Sequence, residues 1–189
     1  MRIISGIFKG SKIYLTKNKI TRPLKDMVRE SIFNLLTHSS KISFDINNSN
    51  VLDLYSGTGS FGLECLSRNA RKVLFIENEK NSLKILKNNI EKLKLKKKTK
   101  ILFNGVENSL KKKNLFNFKF DLIFCDPPFK LQNMDKLIQL IYNSNIMNKN
   151  CIFILHRDRS MNDKFPSDFK ILDERLYGRS KIIFSKFLS

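Results

Sequence analysis

The sequence predicts an α/β fold, a mostly parallel sheet with helices on both faces that is closed by an antiparallel hairpin. Three observations carry this. Residues 51–66 run from a short apolar segment through three glycines into a helical pattern. Strand-length apolar runs then alternate with helical patterns as far as His156, which calls for parallel strands. Finally, residues 169–176 and 180–188 are β-prone, with only Tyr177, Gly178 and Arg179 between them. So short a link permits an antiparallel return and no crossover.

Taken in order, Arg2 to Ser5 and Lys12 to Leu15 are short β-prone runs around Gly6 and Gly10, a hairpin-like arm made basic by Lys9, Lys12, Lys17 and Lys19. Thr21-Arg22-Pro23 then opens a helix, with Pro23 in the tolerated first turn. Leu24, Val28, Ile32, Leu35 and Leu36 draw one apolar stripe, so residues 23–37 form an amphipathic helix with Arg22, Lys25 and Arg29 on its polar side. The Ser/Asn-rich stretch 38–50 breaks the pattern. It divides an N-terminal arm and helix, residues 1–40, from a main domain, residues 41–189.

Val51 to Tyr55 reads as a buried strand containing one acid, Asp53. Gly57, Gly59 and Gly62 let the backbone turn sharply and approach a ligand, and the helix begun by Leu63, Cys65 and Leu66 presents unpaired N–H groups there. Val73 to Glu77 is the second strand. Leu83, Leu86, Ile90 and Leu93 give residues 78–95 a helical stripe. Lys100 to Asn104 and Asp121 to Asp126 are the third and fourth strands, Leu131 to Tyr142 a helix, and Cys151 to His156 the fifth strand.

At 189 residues the chain is long enough to bury one core. No stretch reaches the ~18 apolar residues of a membrane span, and the N-terminus has no signal-like apolar core. Cys65, Cys125 and Cys151 are odd in number and far apart, so they read as reduced core residues of a cytosolic protein, with no disulfide frame and no zinc site. The 36 Lys and Arg against 17 Asp and Glu leave a net charge of +19, a field that suits nucleic acid. A compositional drift towards Lys, Asn, Ile and Phe produces the same excess. The lysines at 92, 94, 96, 97, 98 and 100 are open to both readings: cations at a helix C-terminus, or phosphate contacts.

Ligands of such sheets bind beyond the carboxyl ends of the strands, where Gly57, Gly59, Glu77, Asn104 and Asp126 all fall. The spacing Gly57-x-Gly59-x-x-Gly62, with Glu77 about 20 residues on, fits a nicotinamide site as well as an S-adenosylmethionine site. Three features favour S-adenosylmethionine: Asp53 inside the strand, Asp126-Pro127-Pro128-Phe129 after the fourth strand, and the closing hairpin. Together they outline a class I S-adenosylmethionine-dependent methyltransferase, Rossmann-like in build. Glu77 would accept ribose hydroxyls. Asp53 would order the turn's N–H groups or face the cofactor's ammonium. Asn104 and Val106 would lie at the adenine edge, with Tyr55, Thr58 and Asn78 completing the lining. Two prolines free neighbouring carbonyls to face a cleft, and Phe129 offers a stacking surface. An exocyclic amine is a poor nucleophile because its lone pair is delocalised. Hydrogen bonds to the Asp126 side chain and the Pro127 carbonyl would favour the pyramidal form that attacks a sulfonium methyl held ~3 Å away. No metal is required. Cys125 reads as core, and His38 and His156 have no partner that would give them a role.

These residues resemble the bacterial RsmD family, which methylates N2 of a guanine in 16S ribosomal RNA. The likeness runs from Arg2-Ile3-Ile4-Ser5-Gly6 and Lys9-Gly10 through Thr21-Arg22-Pro23, Asp26, Val28, Arg29, Glu30 and Phe33. It continues in Leu52-Asp53-Leu54, Gly57-Thr58-Gly59, Gly62-Leu63-Glu64, Leu66-Ser67-Arg68, Ala70, Asp126 to Phe129, and Tyr177-Gly178. It implies that Asp53, Gly57, Gly59 and Glu77 bind the cofactor, that residues 126–129 are catalytic, and that the N-terminal unit grips RNA and closes over the cofactor. Arg2, Lys9, Lys12, Arg22 and Arg29 would then meet the small-subunit rRNA. Where relatives carry Asp or Asn after the third strand, this chain reads Asn104-Gly105-Val106-Glu107, so Asn104 and Glu107 compete for the adenine contact. A DNA adenine-N6 methyltransferase and a non-catalytic ribosome assembly factor are the alternatives. Nothing demands more than a cytoplasmic monomer.

Overall fold

The computed structural model describes residues 1–16, 24–112 and 115–188. The expected Thr21-Arg22-Pro23 helix start lies outside them. The apolar runs form one seven-stranded sheet: β1 (Asn50–Leu54), β2 (Lys72–Glu77), β3 (Thr99–Phe103), β4 (Phe120–Cys125), β5 (Met147–Asp158), β6 (Phe169–Tyr177) and β7 (Ser180–Phe187). Their order is β3-β2-β1-β4-β5-β7-β6, parallel from β3 to β5 and antiparallel at β7 and β6, as the short 177–179 link requires.

Alternation along the strands sorts side chains onto two faces. Val51, Val73, Phe75, Leu122, Phe124, Ile154 and Ile182 face helices α1 (Asp26–His38), α2 (Ser60–Ser67) and α3 (Lys80–Lys92). Leu52, Leu54, Leu74, Ile76, Ile123, Cys125 and Leu155 face α4 (Val106–Leu110) and α5 (Met134–Asn143). A ladder of rings, Phe33 on Phe61 and Phe61 on Phe124, joins α1 through α2 to β4. All three cysteines are buried. Among the described residues no helix is long and apolar enough to cross a membrane.

The expected boundary near residue 40 does not separate two cores. Ile3, Ile13, Leu24, Val28, Ile32, Phe33 and Leu36 pack into the same cluster as the sheet. The arm itself is one antiparallel bridge, Arg2 with Lys12, and not a pair of strands. It is fastened to α2 by polar groups. Glu64 accepts the Ile4 N–H at 2.8 Å and the Ser5 N–H at 2.9 Å, while the Ser67 carbonyl and hydroxyl accept from Ile7 and Phe8. Gly6 passes so close that a Cβ there would lie 1.9 Å from the Ser67 carbonyl oxygen, and its φ of +81° favours glycine besides.

Arg29 is a correction. Expected on a solvated helix face, it is fully buried, and so cannot meet a phosphate. Residues 29, 33 and 36 share a face at i, i+4 and i+7, and Phe33 and Leu36 take Arg29 inward with them. Its guanidinium bonds the Arg2 carbonyl and Asp26 and lies 3.8 Å from Glu64, which also pairs with Arg68 at 3.0 Å. Burial pulls the Arg29 pKa down, against Glu64 and Asp26, yet a guanidinium keeps its proton in proteins. The basic side chain has thus become a fastener of the arm.

Glu64→Ala would strip that guanidinium of its buried counter-charge and leave two arm N–H groups without an acceptor. We expect a loss of about 3–5 kcal/mol in urea denaturation, the range for breaking a buried pair. A loss of only ~1 kcal/mol, typical of a surface pair, would contradict this account.

Candidate active site

The order of strands reverses between β1 and β4, and there the crossover helices leave the sheet's carboxyl edge open. Leu54 pairs with Cys125 across the two strands, and the Asp126 N–H donates to the Leu54 carbonyl at 3.3 Å. The glycine turn and the Asp-Pro-Pro-Phe segment therefore start side by side.

Three acids hold the turn. Asp53, buried, accepts the Gly62 N–H at 3.0 Å, tying the start of α2 to the strand that feeds it. Glu77, the last residue of β2, accepts the Gly57 N–H at 2.6 Å on one oxygen and the Asn78 and Glu79 N–H groups on the other. Three of its roughly four acceptor sites are thus used, leaving room for one further donor. Gly59 turns with φ +83°, and a Cβ there would sit 2.4 Å from the Leu86 side chain. Tyr55, also at positive φ, donates its hydroxyl to Glu107, the third acid. Burial and nearby negative charges push the Tyr55 phenol up.

The remaining expected lining is uneven. Thr58 is buried, and its carbonyl accepts from Asn89 at 3.0 Å. Asn78 is exposed beside Glu77. Asn104 follows β3, donates its N–H to the Glu77 carbonyl, and caps Gly105 with its side chain. The Val106 side chain packs into the core beneath α4, so at that position only backbone is left for the mouth. Glu107 accepts the Tyr55 hydroxyl on one oxygen.

Around Asp126 the structure supplies partners that sequence reasoning missed. The Asp126 carboxylate bonds His156 Nδ1 at 2.8 Å, with the Asp126 side chain 23% exposed and the His156 side chain 5%. Phe129 meets the imidazole edge-on at 5.6 Å. From the opposite sheet face Arg157, fully buried, pairs with Asp163 through two 2.8 Å bonds and donates to the carbonyls of Leu131 and Pro128. It clamps the backbone of the loop that carries Phe129. Pro128's carbonyl is thus taken, whereas none of the described residues donates to that of Pro127. The missed signal was Leu155-His156-Arg157-Asp158, where polar residues end an apolar strand at the ligand edge of the sheet.

Of the residues expected to meet nucleic acid, Arg2, Lys9 and Lys12 are exposed on the arm, Arg29 is buried, and Arg22 lies outside the described residues. The lysine cluster sits elsewhere. Lys96 to Lys98 form a short 3-10 turn leading into the first residue of β3, at the edge where the parallel strands begin, opposite Asp126.

The family model described as Conserved hypothetical protein 95 matches residues 1–186. The chain belongs to this family. It is 30% identical over 178 residues to the Ribosomal RNA small subunit methyltransferase D of Haemophilus influenzae, covering 94% of this chain and 89% of that one. A solved Haemophilus influenzae structure, 28% identical, superposes with a TM-score of 0.79 over 100% of this chain and 98% of its own. Another solved structure, a complex with S-adenosylhomocysteine, shares the fold alone: TM-score 0.60 and 17% identity over 83% of this chain and 48% of that one. The α/β class I methyltransferase fold expected from the sequence is the fold found.

Asp53 carries a pH consequence. Desolvation pushes its pKa well up, opposed by the Gly62 N–H and reinforced by Asp126 and Glu77. Between the ordinary carboxylate pKa and that raised value, the folded chain holds a proton that the unfolded chain has released. Stability therefore falls as pH rises through this window. Asp53→Asn removes the dependence and keeps an acceptor for Gly62. We expect the variant to match the parent near about pH 4 and to gain on it towards neutrality in denaturation series. A pH-independent difference would refute this.

Proposed function

We propose that this protein transfers a methyl group from S-adenosylmethionine to the exocyclic N2 amine of a guanine in small-subunit rRNA. Family membership supports an rRNA methyltransferase, and the guanine amine is the finer reading. The observation that carries it is the Asp126–Leu54 backbone bond, which starts the segment bearing a partly exposed carboxylate next to the end of the strand that feeds the glycine turn.

The residues at the mouth fit the cofactor. Glu77 has one acceptor site left for a ribose hydroxyl, Asn104 and Asn78 flank it, and Asp53 lies beneath the turn holding the Gly62 N–H. S-adenosylmethionine supplies an electrophilic methyl on a positively charged sulfur. Asp126 and the Pro127 carbonyl accept the two N–H bonds of the amine, localising the nitrogen lone pair for attack. The amine nitrogen would take the methyl from the cofactor, which keeps the electron pair of the broken C–S bond, and the displaced amine proton would pass to Asp126. Phe129, held by the Arg157 clamp, keeps the base in plane. Catalysis here is chiefly positioning.

The exposed cations of the arm, Arg2, Lys9 and Lys12, would take the rRNA phosphates, and an rRNA substrate implies a cytoplasmic enzyme. Replacing any one of them by alanine would flatten the salt dependence of RNA binding by about one unit of slope.

Asp126→Ala is expected to abolish methyl transfer and leave cofactor affinity intact, and retained turnover would refute the amine-orienting role. Glu77→Ala is expected to weaken S-adenosylmethionine binding in calorimetry, and unchanged affinity would refute the ribose role. Mass mapping of small-subunit rRNA from cells lacking the protein should show the loss of one N2-methylguanine. An unchanged rRNA, or loss of an adenine methyl from DNA, would replace this reading.

A further inference from the structure

The imidazole of His156 occupies a position that methyl transfer as described above leaves unused. Near the end of β5 lie His156 and Arg157, whose side chains leave opposite faces of the sheet. Arg157 grips the backbone of residues 128–131. His156, buried on the α1–α2–α3 side, touches the Asp126 carboxylate itself. Its Nε2 lies 2.9 Å from the hydroxyl of Ser180, the first residue of β7. His156 pairs with Ile182, so Ser180 is its diagonal neighbour on the same face.

We infer that His156 and Ser180 form a positioning chain that sets the orientation of the Asp126 carboxylate for the amine. The inference rests on Asp126 being the amine's acceptor. An ionised carboxylate has only acceptors, so the proton in the 2.8 Å bond belongs to His156 Nδ1. In the neutral ring Nε2 is then the acceptor, and Ser180 is the group that donates to it. The serine hydroxyl thus selects the tautomer, the tautomer fixes which nitrogen faces Asp126, and the Nδ1–H occupies Oδ1. The other oxygen, Oδ2, is left to the substrate. The Phe129 edge against the imidazole fixes the ring plane at the same time. One side chain therefore orients both the amine acceptor and the aromatic that holds the base.

Aspartate, histidine and serine also stand in this order in hydrolase triads. There the buried member is the acid. Here the carboxylate is the open end and the imidazole is the buried one, so the chain runs from Ser180 through the buried ring to the open carboxylate.

The test compares His156→Asn with His156→Phe. The asparagine amide can place an N–H where Nδ1–H stood, whereas phenylalanine fills the ring's space and donates nothing. Methyl transfer from radiolabelled S-adenosylmethionine to small-subunit particles from cells lacking the protein gives kcat and KM, and calorimetry gives cofactor affinity. His156→Phe should lower kcat about 100-fold, the cost of mispositioning a reacting group, with cofactor affinity and unfolding temperature unchanged. His156→Asn should recover most of that loss, and Ser180→Ala should lower kcat in the same direction by less. If Asp126→Ala is inactive while His156→Phe is as active as His156→Asn, the imidazole is only packing and the inference fails. If Asp126→Ala itself keeps its turnover, the amine-orienting reading fails and the positioning chain with it.

Discussion

The parallel pairing of β1 with β4 is the constraint on which the rest depends. Each strand's next neighbour lies on the far side, β2 beyond β1 and β5 beyond β4, so the crossover helices diverge and leave the carboxyl edge between them open. The register that pairs Leu54 with Cys125 then delivers two segments distant in sequence to one opening, with a backbone bond between them. The glycine turn could be intact and Asp126 unchanged, yet a register slip of one residue would turn every β4 side chain to the other face. The two apolar clusters prevent that, because each face of the central strands is filled by a different set of helices.

Around this opening the chain concentrates buried polar groups. Asp53, Glu77, His156 and Arg157 are all buried, as are Arg29 and Glu64 where the arm is fastened. Buried ion pairs contribute little net stability, since desolvation offsets most of their attraction. What they supply is geometry. Asp53 and Glu77 hold the two ends of the turn through Gly62 and Gly57, and Arg157 holds the loop after β4 through two carbonyls. The backbone groups they satisfy are turn groups that the sheet cannot pair, so the acids do near the site what hydrogen-bonded strands do elsewhere.

Most of the sheet was legible in the sequence because each central strand is an unbroken apolar run. Boundaries moved where patterns were weak. β5 begins at Met147, but Asn148, Lys149 and Asn150 are exposed, and they hid its first stretch of pairing. α4 went unseen because Val-Glu-Asn-Ser-Leu is too short to show a period. Arg29 departs from expectation because the stripe through Leu24, Val28, Ile32, Leu35 and Leu36 leaves out Phe33, which is buried and widens the inward face to include position 29. The mouth residues 53 to 59, 77 and 126 to 129 could be found from motif and strand order. His156 was marked only by the polar residues that end β5, since its partners Asp126 and Ser180 lie elsewhere in the chain and only the folded register brings them together.

One side chain bonds both the arm and the glycine turn. Asn89, buried on α3, accepts the Tyr14 N–H at 2.7 Å and donates to the carbonyls of Tyr14 and Thr58, both at 3.0 Å. The Tyr14 ring in turn lies under Lys92, whose ammonium bonds the Lys12 carbonyl. An amide is suited to this because it combines an acceptor with two donors, whereas a carboxylate has no donor and an ammonium no acceptor. Asn89 thus holds the arm alongside Glu64, Ser67 and Arg29, and it is bonded to the residue between the first two glycines of the turn. A displacement of Tyr14 would reach the glycine turn through the hydrogen bonds of Asn89. The N-terminal unit is therefore packed into the same core as the sheet and bonded to the glycine turn, with no separate core on either side of residue 40.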